Sequence, residues 1–205
     1  MLGAIIAFAA IALQVARHGA LTVLDGQIAQ SLHRHAAEPM TGWMRLVSLL
    51  HTPGATALLA LPLAAYFWRR KEYGWLLLSA VCVPGGMLLN ELIKLLFQRG
   101  RPQFEHPLVT LTSYSFPSGH AAAAAVLYGL AACYAMTRTR SAGRRAAVLL
   151  AALSMVALVG YSRIYLGAHY LSDVLAGGAE SCAWLALCLV AGAALQRRYL
   201  STQQS

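Results

Sequence analysis

Six long apolar runs, separated by short polar stretches, dominate this chain of 205 residues. Several of them approach the roughly 20 apolar residues that a helix needs to cross the hydrocarbon core of a bilayer. The pattern therefore predicts six membrane-spanning helices, the first of which could also extend past Arg17 to Leu24. The predicted apolar cores are residues 2–16, 55–68, 74–97, 120–136, 146–165 and 171–195.

The segment from residue 25 to residue 51 has a different pattern, in which apolar residues are mixed with His33, Arg34, His35 and Arg45. Such mixing is typical of one or two amphipathic helices that lie at the membrane interface after the first span. These helices could guide lipid towards a site. A connecting segment packed on the helix bundle also accounts for the pattern and is favoured.

Residues 1–20 could alternatively be a secretory signal peptide. No positive residue precedes Ile5, however, and the rest of the chain is itself apolar enough to be bound to a membrane. We therefore interpret the first apolar run as a retained span.

Composition assigns the chain to the class of integral membrane proteins. Hydrophobic residues make up 59% of the sequence and charged residues only 11%, which excludes an ordinary soluble domain. We therefore expect an all-α fold, a bundle of six transmembrane helices, with residues 1–205 forming a single membrane-embedded domain. The cysteines lack metal-ligand spacing and are interpreted as small apolar residues of the spans. They are Cys82, Cys133, Cys182 and Cys188.

The formal net charge of +9 comes mostly from short loops between the predicted spans. Because no soluble basic surface is left to follow a duplex, we exclude nucleic acid as a partner and favour anionic lipid head groups. The basic stretches at 69–71, 138–145 and 197–198 place both termini in the cytoplasm. The loops on the opposite side are also cationic, against this topological bias, and a bound anion would explain them.

Three polar clusters lie at the ends of apolar runs on that opposite side. Lys94 and Arg101 form the first cluster. On a helix that continues to Pro102 they would point nearly the same way, towards one anion, whereas Arg99 would face elsewhere. The simpler alternative is that these side chains extend to the membrane boundary, as basic residues near the ends of spans commonly do.

The second cluster, from Pro117 to His120, directly precedes an apolar run. Pro117 and Ser118 are typical of a helix start, and Gly119 would let a ligand approach the free amides there. His120 would then stand beside a bound phosphate, able to give or take a proton. A capped helix start with an interfacial histidine is the simpler alternative.

The third cluster contains Arg163, His169 and Asp173. A histidine and a carboxylate four residues apart lie on one face of a helix, where the carboxylate can hold the imidazole in one tautomer and raise its basicity. Taken alone, this pair could be structural. Together, the three clusters supply what phosphoryl transfer through a histidine requires.

This arrangement resembles the three-part signature of the type 2 phosphatidic acid phosphatase (PAP2) superfamily, which also includes vanadium haloperoxidases. The similarity covers residues 94–173 and is complete at every signature position. Those positions are Lys94-x6-Arg101-Pro102, then Pro117-Ser118-Gly119-His120, then Ser162-Arg163-x5-His169-x3-Asp173.

The resemblance implies a metal-independent lipid phosphatase without a cofactor. It implies His169 as the nucleophile that forms a phosphohistidine, Asp173 as its orienting partner and His120 as the general acid. It further implies that a set of residues contacts the phosphoryl oxygens of the substrate. It implies no metal site. The residues expected to make those contacts are Lys94, Arg101, Ser118, Gly119 and Arg163.

The resemblance also implies a multi-pass protein of the bacterial inner membrane whose site faces the periplasm or exterior. The expected substrate is then a membrane lipid phosphate or diphosphate: undecaprenyl or another polyprenyl diphosphate, phosphatidylglycerol phosphate or phosphatidic acid. The short segment 103–116 favours a polyprenyl diphosphate. A lipid or anion transporter that uses the cations only for binding, and haloperoxidase-like chemistry, are the alternatives. The sequence leaves the oligomeric state open.

Overall fold

The computed structural model describes residues 1–202, which form eight α-helices and, within that range, no β-strand. The expected all-α membrane fold is thereby confirmed. In chain order the helices are α1 (Leu2–Ala16), α2 (Ala20–Arg34), α3 (Met40–Leu50), α4 (Pro53–Arg69), α5 (Tyr73–Phe97), α6 (Gly119–Thr137), α7 (Ala142–Tyr165) and α8 (Leu171–Thr202).

Four of the helices are long and apolar enough to cross a membrane: α5, α6, α7 and α8 as far as Leu195. The other four form two bent pairs. Helices α1 and α2 meet at 81°, and α3 and α4 meet at 62°. Each pair has the combined length and composition of one further span, so the described residues provide four to six spans.

The break between α1 and α2 divides the longer form of the first predicted span between two short helices. Helix α1 ends at Ala16, His18 adopts a left-handed φ of 49°, and Gly19 is the N-cap residue of α2. With 15 residues, α1 is about 22 Å long, less than the thickness of the hydrocarbon core. The amphipathic segment expected at 25–51 is present as α2 and α3, and α2 begins earlier, at Ala20, because the helix resumes directly after the break.

Helix α6 lies at the centre of the bundle, in contact with α4, α5, α7 and α8. Its first turns are buried alanines, residues 121–125, whose small side chains let neighbouring helices approach closely. Gly177 on α8 makes one such approach, because a Cβ there would lie 2.6 Å from the carbonyl oxygen of Ser118. This glycine allows the first turns of α8 to lie against the start of α6.

An apolar core between α5, α6 and α8 contains two of the cysteines. Cys82 and Cys188 are buried there with Val126 and Leu130. All four cysteines are free thiols, in agreement with their interpretation as small apolar residues.

The two ends of the bundle carry different polar groups. At one end the last turns of α5 and α7 meet the first turns of α6 and α8, and this end holds the three polar clusters. At the other end, Arg138 after α6 forms an ion pair with Glu72 before α5. The basic loops at 69–71 and 138–145 therefore lie at the end opposite the three clusters.

Candidate active site

The three clusters meet in one pocket of about 180 Å³ at the end of the bundle. Its lining includes residues from α5, α6 and α7. The loop between α5 and α6 and the loop between α7 and α8 also contribute. Three of the lining side chains are basic and two are imidazoles. They are Lys94, Arg101, Arg163, His120 and His169.

Lys94 and Arg101 reach this pocket in a different way from the one expected. Helix α5 ends at Phe97, and Gln98 takes a left-handed φ of 47°, so no helix continues to Arg101. The prediction that one helix carries both residues is therefore wrong, although the two cations do converge. The loop after α5 instead folds the guanidinium of Arg101 onto backbone carbonyl oxygens. These oxygens belong to Ser113, Tyr114 and Ala168, at 2.7, 3.0 and 2.7 Å.

Lys94 and Gly119 are close neighbours in the pocket. Lys94 is buried in the last turn of α5, and its Nζ lies 2.6 Å from Oε1 of Glu91. A Cβ at position 119 would come within 3.2 Å of that Nζ and within 3.1 Å of Oδ1 of Asn90. Glycine therefore keeps the start of α6 open beside a cation, an arrangement that favours a bound anion.

Two buried donors beside the pocket have no hydrogen-bond partner among residues 1–202. They are Oγ of Ser118 and Nε of Arg163. Another nitrogen of the Arg163 guanidinium donates to Oγ of Ser48 on α3. Because buried donors without partners are rare and costly, an anion with several oxygens is a suitable partner for both groups.

His169 lies in the loop between α7 and α8, two residues before α8 begins, so the predicted helical face shared with Asp173 is not formed. Nδ1 of His169 lies 2.7 Å from the carbonyl oxygen of Ser115 and 3.5 Å from Oδ2 of Asp173. Since a carbonyl oxygen only accepts, this contact assigns the proton to Nδ1 and leaves the lone pair on Nε2. The Ser115 carbonyl is thus the nearer orienting partner, and Asp173 is the nearest negative charge.

Burial is the main reason why the pKa of His169 falls from 6.5 to about 4. Asp173 opposes this change, and the positive charges of Arg163 and Arg101 add to it. His169 is therefore neutral at pH 7, the form that can attack phosphorus. Burial also lowers the pKa of Arg101, but a guanidinium remains cationic in proteins.

His120, in the first turn of α6, lines this pocket and a larger neighbouring cavity of about 530 Å³. Apolar side chains of α3 and of the loop after α5 form much of the larger cavity. Its basic residues are Arg163, which also lines the smaller pocket, and Arg45. His120 therefore borders a small cationic pocket on one side and a large, mainly apolar one on the other.

Sequence reasoning missed three contributors to this region. Arg99, predicted to face elsewhere, donates to Oδ1 of Asp173 at 2.6 Å and to Oδ2 of Asp25 at 2.9 Å. Asp25 had a signal, since it is the only acidic residue among the first 37. The Ser115 carbonyl had none, because a backbone group leaves no trace in a residue pattern.

Within residues 1–202, no group of three or more His, Cys, Asp or Glu side chains is placed to hold a metal ion. Asp173, the carboxylate nearest His169, is already paired with Arg99. This arrangement offers no ready ligand set, and metal independence stays a prediction.

Sequence comparison relates the chain to known phosphatases. The sequence model of the PAP2 superfamily matches residues 72–197. Phosphatidylglycerophosphatase B of Bacillus subtilis (strain 168) is 37% identical over 115 residues, which are 56% of this chain and 56% of that protein. The chain thus matches little more than half the length of this relative.

Two crystal structures resemble the fold. That of the transmembrane PAP2-type phosphatidylglycerolphosphate phosphatase from Bacillus subtilis has a TM-score of 0.77 at 28% identity, covering 92% of this chain and 94% of that one. That of Aquifex aeolicus LpxE has a TM-score of 0.61 at 20% identity, covering 80% and 93%. Both share the helical architecture described above.

Proposed function

Because this chain belongs to the PAP2 superfamily, we propose that it is a membrane lipid phosphatase that acts through a phosphohistidine on His169. The observation that carries the proposal is the single pocket in which His169 and His120 meet three basic side chains. In this proposal residues 1–205 act as one domain, without a metal ion or cofactor.

In the first step, Nε2 of His169 attacks phosphorus while the bond between phosphorus and the leaving oxygen breaks. The Ser115 carbonyl keeps the proton on Nδ1, and Asp173 stabilises the positive charge that the imidazole gains. The negative charge of the bound phosphate favours the protonated form of His120 among the cations of the pocket, and His120 gives its proton to the leaving oxygen. The products are the phosphohistidine, neutral His120 and the released lipid.

In the second step, water attacks the phosphohistidine from the side that the leaving group has vacated. Neutral His120 takes a proton from the water as the new oxygen–phosphorus bond forms and the nitrogen–phosphorus bond breaks. Inorganic phosphate leaves, and both imidazoles return to their starting states. His120 therefore acts first as an acid and then as a base.

The phosphoryl oxygens lie among the basic side chains and the open start of α6. Arg101 is held by three carbonyl oxygens and Lys94 by Glu91, so these charges are in place before substrate arrives. Donors fixed in advance stabilise developing charge without reorganising during the reaction. The groups assigned to the oxygens are Lys94, Arg101, Arg163, Ser118 and Gly119.

The larger cavity supports a lipid diphosphate as the substrate. In-line attack by His169 directs the leaving group towards His120 and into the cavity of about 530 Å³. A lipid alcohol leaving there needs only apolar contacts, whereas a lipid phosphate also needs a cation. We assign this cation to Arg45, whose side chain is 52% exposed. Its ion pair with Glu38 is long, at 3.9 Å, so the guanidinium is available to bind a phosphate.

The substitution Arg45→Gln tests this substrate class. We expect kcat/KM for a polyprenyl diphosphate to fall about tenfold, as for the loss of one charge-assisted hydrogen bond. The value for the polyprenyl monophosphate of the same chain length stays nearly unchanged, because it leaves as an uncharged alcohol. Phosphate release in detergent micelles measures kcat/KM for both substrates, in the wild type and in Arg45→Gln.

Arg34→Gln is the matched control, since Arg34 is exposed at the end of α2, away from both cavities. It should alter neither value. Equal losses on the two substrates in Arg45→Gln would remove the reason for assigning a diphosphate.

The activity itself is tested with purified protein, a panel of lipid phosphates and diphosphates in detergent, and EDTA. We expect phosphate release to continue in EDTA, because the positive charge comes from Lys94, Arg101 and Arg163. Release that stops with EDTA and returns with Mg²⁺ would contradict the metal-free mechanism. Absence of release from every lipid in the panel would reject the proposed function.

We place this site at the external face of a bacterial inner membrane, with both termini in the cytoplasm. The basic loops 69–71 and 138–145, at the opposite end of the bundle, support this orientation through the excess of Lys and Arg in cytoplasmic loops. The lipid tail of the substrate then stays in the bilayer while its phosphate enters the pocket.

A further inference from the structure

A buried polar network that the mechanism above leaves unexplained lies directly behind His169. Arg99 forms its centre and binds two carboxylates, donating to Oδ1 of Asp173 at 2.6 Å and to Oδ2 of Asp25 at 2.9 Å. Both carboxylates are fully buried, and the Arg99 side chain is 13% exposed. The guanidinium also stacks on the ring of Tyr170, 4.3 Å from its centroid.

Asp25 also binds the start of α8. Its Oδ1 accepts the backbone N–H of Ser172 at 2.9 Å, and its Oδ2 accepts the Ser172 hydroxyl at 2.5 Å. The amides of a first helical turn have no partner within the helix, and a carboxylate is the strongest acceptor for them. Asp25 lies on α2, so the interfacial segment is joined to the turn that carries Asp173 and follows His169.

The charges of this network explain why two carboxylates are needed. Arg99 fixes Asp173 but also neutralises it, and a neutralised Asp173 would stabilise a cationic imidazole poorly. Asp25 supplies the second negative charge, so the trio keeps a net charge of −1. His169, whose Nδ1 is 3.5 Å from Asp173, becomes positive when its Nε2 bonds to phosphorus. The net negative charge therefore acts where the new positive charge forms.

We infer that Asp25 and Arg99 are positioning residues for the nucleophile: Arg99 fixes the carboxylate of Asp173, and Asp25 balances the charge of Arg99 so that Asp173 can stabilise the phosphorylated imidazole. This inference rests on the proposed function. Neither residue touches substrate. Their effect therefore falls on kcat and on the rate of phosphohistidine formation, with KM unchanged.

The substitution Asp25→Asn removes the charge while leaving an oxygen that can still accept the Ser172 amide. We expect kcat to fall about 10–100-fold, the range seen when a residue that orients a metal-ligating side chain is removed, which is a comparable supporting role. Rapid-quench measurement of phosphohistidine formation should show the same fall. Glu105→Gln is the matched control, because Glu105 is exposed, and it should behave as wild type.

The double variant Asp25→Asn with Arg99→Gln tests whether Asp25 acts through the charge of Arg99. Removing both charges returns a net charge of −1 to the site, so we expect kcat to recover at least several-fold relative to Asp25→Asn alone. If Asp25 and Arg99 affect turnover independently of each other, the two losses multiply instead. Thermal unfolding in detergent shows whether each variant is folded.

The substitution Arg99→Lys provides the test if Asp25→Asn does not fold. A lysine keeps the charge but cannot bind two carboxylates as a planar fork does, so we expect kcat to fall about tenfold with KM unchanged. Wild-type turnover in Asp25→Asn or Arg99→Lys, or a double variant slower than Asp25→Asn, would overturn the inference while leaving the phosphatase activity established. A wild-type protein without phosphate release would instead reject the proposed function.

Discussion

Replacing His169 with alanine is expected to lower kcat for phosphate release by about 10⁴-fold or more, as for loss of a covalent nucleophile. The lone pair on Nε2 is the electron pair that bonds to phosphorus, and no other neutral side chain is assigned this role. Phosphate release from a lipid diphosphate in detergent measures the loss.

The result also decides between a phosphatase and a transporter. A transporter that uses Lys94, Arg101 and Arg163 only for binding keeps lipid or anion movement in His169→Ala, because all three cations remain. We expect inorganic phosphate to bind this variant within a few-fold of wild type while turnover is lost. His106→Ala, an exposed histidine in the loop after α5, is the control and should keep full activity. Substantial phosphate release by His169→Ala would show that another group attacks phosphorus.

Replacing His120 with alanine is expected to lower kcat by about 10²–10⁴-fold on a lipid monophosphate, the range for general acid–base catalysis. The loss should be smaller in phosphohistidine formation from p-nitrophenyl phosphate, because nitrophenolate leaves without needing a proton. Rapid-quench kinetics with the two substrates measure the first step alone.

The second step gives a further sign of this role. Without His120 no base activates the water, so phosphohistidine should accumulate in His120→Ala when p-nitrophenyl phosphate is the donor. An equal loss of the first step on both substrates would mean that His120 positions the phosphate and does not protonate the leaving group.

Hydrophobic patterning predicted the helices well because membrane spans leave long, unambiguous apolar runs. Helix α1 has the predicted bounds, and α8 begins where expected, at Leu171. The 81° bend after Ala16 was not predicted, since His18 and Gly19 occupy only a short gap in a nearly continuous apolar pattern. Bends of this kind depend on backbone dihedral angles and on packing against other helices.

The convergence of Lys94 and Arg101 was predicted, but for the wrong reason. Helical periodicity predicts that α5 continues past Phe97. In the structure α5 ends at Phe97, and a loop brings Arg101 back to the pocket. The hydrogen bonds that fix this loop run to backbone carbonyls, such as that of Ala168. Backbone groups are common to all residues, so their role in a site cannot be seen in the sequence.

The network behind His169 depends on contacts between distant segments, and the sequence does not show which segments meet. Asp25 and Ser172 are separated by 147 positions and become neighbours only when α2 packs beside α8. A lone carboxylate in an apolar segment is a usable signal that a buried partner exists, but it does not identify that partner. The structure identifies Arg99 and, through it, Asp173.

The proposed mechanism depends on transfer of the phosphoryl group to one imidazole. Alkaline quenching of the His120→Ala variant during reaction with p-nitrophenyl phosphate, followed by peptide mass spectrometry, tests this transfer most directly. We predict a phosphohistidine at position 169, absent when His169 is also replaced with alanine. Phosphate release without any phosphoenzyme, or a phosphoryl group on another residue, would contradict the account.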